Sequence, residues 1–113
     1  MDIEIIVDKQ SEFRMNDAAE KLKRCFKNNN IKTKSKDIVV IFSNDHKFVK
    51  NVVVKLPKNT MIINVTENLS EQHVINVIKY VSDICYLKTD VNIITTRIIN
   101  AYNKSITLLR QKV

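Results

Sequence analysis

Short apolar strands alternating with amphipathic helices predict an α/β fold: a small doubly wound sheet of about four mostly parallel strands with helices on both faces. Three observations carry this. Short runs rich in Ile and Val each close on a polar cluster. Between them, apolar residues recur at three- and four-residue spacing. The chain has 113 residues, which suits one domain over 1–113 with a core of its own.

Residues 3–7, Ile-Glu-Ile-Ile-Val, read as a first buried strand running into Asp8, Lys9 and Gln10. Asn16 is the expected cap of a helix whose apolar positions are Ala18, Ala19, Leu22, Cys25 and Phe26. Ile38 to Phe42 form a second strand closing on Ser43, Asn44 and Asp45. The segment 46–56 fits two patterns. Phe48, Val49, Val52, Val53 and Leu56 have helical spacing, whereas Val52-Val53-Val54 has strand propensity. Parallel neighbours need a crossover, so the helix is favoured, with Pro57 ending it. A hairpin there would instead give an α+β fold with a mixed sheet.

Met61 to Val65 read as a third strand before Thr66, Glu67 and Asn68. A capping box of Asn68 and Glu71 then opens a helix carrying Val74, Val77, Ile78, Val81, Ile84 and Cys85 on one face. Val91 to Ile94 are expected as the fourth strand, ending at Thr95 and Thr96, before a last helix through Ile99, Tyr102, Ile106 and Leu109.

Composition excludes several function classes. With no glycine in the chain, the Walker A loop, the GxGxxG turn and the GxSxG elbow are all absent. Asparagines at Asn28, Asn29, Asn30, Asn44, Asn59 and Asn68 take the turns instead. Abundant Ile, Asn and Lys also fit an AT-rich genome. No CxxC or Cys/His cluster joins Cys25 to Cys85, so two free thiols and no zinc site are expected. His46 and His73 fall at expected helix starts with no nucleophile beside them, and His73 reads as a surface residue. The start of the sequence lacks signal-peptide character and no apolar run would span a bilayer, so an intracellular, cytoplasmic protein without membrane contact is expected.

Ligands of open α/β sheets bind beyond the carboxyl ends of the strands. The acids expected there, Asp8, Asp45 and Glu67, are oxygen ligands suited to Mg²⁺ or Mn²⁺. The stretch from Asp37 to Phe48, with Ser43-Asn44-Asp45 closing its strand, resembles a segment of NYN and PIN-like nucleases, and Ile5-Ile6-Val7-Asp8 looks like their first strand. The resemblance implies a metal-dependent nuclease whose acids activate water; Lys47 stands where that family has its second acid. Without that site, no cofactor is expected.

Charge points elsewhere. Lys and Arg number 19 against 12 acids, for a net charge of +7. Lys21, Lys23, Arg24, Lys27, Lys32, Lys34 and Lys36 follow one another without an acid between them. Such a run attracts polyanions without reading sequence, and few aromatic residues leave no base-stacking platform. The leading functional expectation is therefore a non-enzymatic basic protein binding nucleic acid or an acidic protein. The alternatives are the degenerate nuclease, and an assembly subunit forming a homo-oligomer through the C-terminal helix with Leu108, Leu109 and Val113.

Overall fold

The computed structural model describes residues 3–10, 13–28 and 38–100. Four parallel strands, β1 (Ile3–Val7), β2 (Ile38–Phe42), β3 (Met61–Thr66) and β4 (Asp83–Tyr86), stand side by side in sequence order. The helices are α1 (Phe13–Asn28), α2 (His46–Val53) and α3 (Glu71–Ile78), and residues 91–100 form α4.

Side-chain alternation along the strands splits the core into two layers. Ile3, Ile38, Val40, Phe42, Ile63, Val65 and Cys85 face α1 and α4, meeting Met15, Ala19, Leu22 and Phe26 of the first and Ile94 and Ile98 of the second. Val39, Ile41 and Ile62 face the other way, onto Val49 of α2 and Val77 of α3. Burial on both sides explains why β2, Ile-Val-Val-Ile-Phe, is apolar throughout.

Helices thus cover both faces, as the sequence predicts, but by an arrangement it did not indicate. Strands advancing in one direction through right-handed crossovers would stack every helix on one face. Here α1 lies on the face opposite α2 and α3. This change of face falls between β1 and β2, and it opens a crevice at their carboxyl ends.

The helical reading of 46–56 holds for His46–Val53. The chain leaves the helix before Pro57. Two helix starts differ from expectation. Helix α1 already runs from Phe13, so Asn16 lies inside it and is no cap. The cap of α3 is Ser70, whose hydroxyl accepts from the His73 amide at 3.3 Å, and not the Asn68 and Glu71 box.

The largest difference lies after α3. That helix stops at Ile78, the Ser82 amide donates to the Ile62 carbonyl at 2.7 Å, and Ile84 and Cys85 sit in strand β4. Val81, Ile84 and Cys85 satisfy helical spacing equally well, so periodicity alone could not separate the two. The expected strand at 91–94 is the first turn of α4. Asp90 begins it, accepting from the Asn92 amide at 2.8 Å. Thr95 and Thr96 consequently bond back to the carbonyls of Val91 and Asn92 and do not reach the strand-end rim. Cys85 is buried and Cys25 half-buried. Burial pushes the Cys85 thiol up, against a smaller opposing effect of Arg97. The C-terminal residues Leu108, Leu109 and Val113 lie outside the described residues.

Candidate functional site

The crevice at the change of face is built from the ends of β1 and β2. The Asp8 amide donates to the Phe42 carbonyl at 2.9 Å, carrying the ladder one residue past β1. That fixes the Asp8 side chain, which is only 8% exposed, against Ser43. Its Oδ2 accepts from the Ser43 hydroxyl at 2.9 Å and its Oδ1 from the Gln10 amide at 3.0 Å. The Ser43 oxygen in turn accepts from the Asp45 amide at 3.0 Å.

Asp45 is the N-cap of α2: Oδ1 accepts from the Lys47 amide at 2.9 Å, while the residue is exposed. A cleft of about 450 Å³ is lined here by Asp8, Lys9, Asp45, Lys47, Phe48 and Asn51 among others. It holds two carboxylates and two lysines at the N-terminal end of a helix, where backbone N–H groups favour negative charge.

The neighbouring strand ends are tied by polar side chains in place of glycine turns. Asn44 Oδ1 accepts from the Thr66 hydroxyl and the Glu67 amide, both at 2.8 Å, and the Asn68 amide donates to the Thr66 oxygen at 2.9 Å. Glu67 therefore belongs to the β3 end, while Asp8 and Asp45 share the cleft. Among the described residues no group of three or more His, Cys, Asp or Glu is arranged to hold a metal ion.

Behind the rim lies a buried polar pair that the sequence did not single out. Asn64, in the middle of β3, is fully buried and donates through Nδ2 to the carbonyls of Ile41 at 3.0 Å and Ser43 at 3.2 Å. Its Oδ1 therefore points at His73 Nε2, 2.9 Å away, and that nitrogen carries the proton. His73 is 1% exposed, which corrects its reading as a surface residue. Its Nδ1 is buried with no hydrogen-bond partner among the described residues. Burial lowers the His73 pKa from the usual 6.5; His46 lowers it further, and Asp45 acts in the opposite direction. The available signal was a lone asparagine inside an apolar strand, since a polar residue there needs a buried partner.

Part of the basic run lies on α1. Lys21, Lys23, Arg24 and Lys27 are exposed on α1, but Lys21 pairs with Asp17 at 3.1 Å and Lys23 with Glu20 at 3.4 Å. Lys32, Lys34 and Lys36 lie outside the described residues. The acid-free stretch is partly neutralised by acids one turn before it.

No protein-family model and no curated protein matches the chain. Solved structures resemble it, two response regulators among them. A response regulator from Thermotoga maritima matches with a TM-score of 0.55 and 12% identity, over 90% of this chain and 97% of that one. A response regulator protein from Burkholderia pseudomallei, described with a phosphorylated aspartic acid, a calcium ion and citrate, matches with a TM-score of 0.63 and 11% identity, over 100% of this chain and 74% of that one. The fold is thus the flavodoxin-like, doubly wound α/β fold of response-regulator receivers. Both neighbours are response regulators, which overturns the expectation of a nucleic-acid-binding protein and that of a degenerate nuclease. Among the described residues no helix is long and apolar enough to cross a membrane.

Proposed function

We propose that this chain is a receiver-like signalling domain that accepts a phosphoryl group in the β1–β2 cleft and passes the change to a protein partner such as a kinase or its target. The observation that carries the reading is Asp45: an exposed carboxylate, capping α2, in a cleft it shares with Asp8, Lys9 and Lys47. Asp8 is the less suitable acceptor because both of its oxygens already take hydrogen bonds. In the transfer, Asp45 Oδ2 attacks the donor's phosphorus, the bond from phosphorus to the donor oxygen breaks, and the donor leaves as its anion. The new dianionic group at the helix N-terminus is stabilised by the α2 dipole and by Lys9 and Lys47. A divalent cation assisting this step would draw on Asp8 and Asp45, two carboxylates complemented by water.

Incubation with acetyl phosphate and Mg²⁺ tests this by intact-protein mass. The expected product is the mass of one added phosphoryl group, removed by hydroxylamine as an acyl phosphate is, and absent from Asp45→Asn. A hydroxylamine-resistant adduct lost in Ser43→Ala, or no adduct at all, would sink the reading.

A further inference from the structure

A second cleft, of about 410 Å³, runs between α2 and α3 and shares Lys47 and Asn51 with the β1–β2 cleft. It is lined by His46, Lys47 and Lys50 on one wall and Asn76, Lys79 and Tyr80 on the other, with Asn51 joining the first. No acid lines it. Lys47 and Lys50 stand one turn apart on α2 and project along the same wall. On the opposite wall the Lys79 ammonium lies 5.5 Å from the centre of the Tyr80 ring, which holds that charge over the groove. Asn76 Nδ2 is spent on the Gln72 carbonyl at 2.8 Å, leaving its oxygen as the outward end of the amide. Unlike the lysines of α1, of which Lys21 and Lys23 are paired with acids, these lysines form no ion pair among the described residues.

We propose that this groove docks an acidic segment of a partner protein. Charge complementarity selects the occupant: both walls are cationic, and nothing in the lining repels a carboxylate. The two-walled arrangement also sets the pattern read. Side chains of an extended segment alternate between its two sides. Consecutive acidic residues place one carboxylate on the Lys47 and Lys50 wall and the next on the Lys79 wall. Acids at every second position all face one wall and leave the other unpaired. The site reads a contiguous acidic run rather than charge alone. This goes beyond the phosphoryl reading: the two clefts share Lys47, whereas Lys50 and Lys79 line this groove alone.

Fluorescence polarisation of the full chain tests it with two labelled peptides: a short run of consecutive glutamates, and an alternating glutamate–serine peptide carrying the same number of glutamates. The contiguous peptide should bind more tightly by about threefold, the scale of one added exposed ion pair. Lys50→Glu with Lys79→Glu should weaken it by at least about tenfold through like-charge repulsion, with circular dichroism confirming the fold. Lys23→Glu with Arg24→Glu, on the opposite face of the sheet, should leave that difference between the two peptides intact. Equal affinity for both peptides, or equal losses from the α1 and groove substitutions, overturns the proposal. So does a DNA duplex that displaces the glutamate run more effectively than unlabelled peptide at the same salt concentration.

Discussion

His73 is the residue whose chemistry departs furthest from its place in the sequence. It sits at the start of α3 with Ser70 capping its amide, yet its ring is buried against Asn64. Because the folded protein holds its pKa below the unfolded value near 6.5, the unfolded chain binds the proton first on acidification. The stabilisation is therefore complete above that pH and is lost as pH falls through the lower, folded value. Urea midpoints measured from pH 8 down to pH 5 should decline in the wild type. They should decline less in His73→Gln, whose amide can still donate to Asn64 without titrating; parallel curves would refute this assignment. Much of the rim was legible in the sequence, because Asp8, Ser43 and Asp45 stand where strands end whatever the register. The Asn64–His73 pair was not, since its formation depends on how α3 packs on β3.

At the level of elements, the apolar strands β1, β2 and β3 were readable because each is a short β-branched run with a polar stop. The stretch after α3 was not readable in the same way. Val77, Val81, Ile84 and Cys85 make a helical stripe on paper, and only the return of Ser82 to the Ile62 carbonyl breaks it. Likewise, the Asn68 and Glu71 spacing matches a capping box, while the bond is made by Ser70. Ser70→Ala should therefore cost about 0.5–2 kcal/mol of stability. Glu71→Ala, which removes no bond to the Asn68 backbone, should stay within about 0.5 kcal/mol. Chemical denaturation of the two variants separates these cases, and a larger loss for Glu71→Ala would restore the capping box.

For the whole molecule, the sheet order places β2 and β3 inside and β1 and β4 outside. Both inner strands are packed on two faces, with Val39, Val40, Ile41, Ile63 and Val65 almost fully buried. Native-state amide exchange should accordingly be slowest in β2 and β3, approaching the global unfolding free energy, and faster in β1 and β4. Slower exchange in β1 than in β2 would contradict the two-layer core. The general architecture followed from alternation of elements alone, whereas the change of face between α1 and α2 left no local mark, because the apolar stripe of a helix does not say which side of a sheet it will cover.

Asn64 has a consequence for how distant parts of the molecule respond to one another. Its amide grips the carbonyls of Ile41 and Ser43 with one end and the His73 ring with the other. The Ser43 hydroxyl meanwhile holds Asp8 at the rim. A shift of the β2 end by the length of a hydrogen bond therefore has to be answered at α3, or the buried amide loses a partner in a place where water cannot replace it. Binding free energies are reciprocal, so any preference that occupation of the rim imposes on α3 is returned in equal measure when α3 is engaged first. The asparagine makes the two ends of that linkage a single thermodynamic quantity, readable from either side.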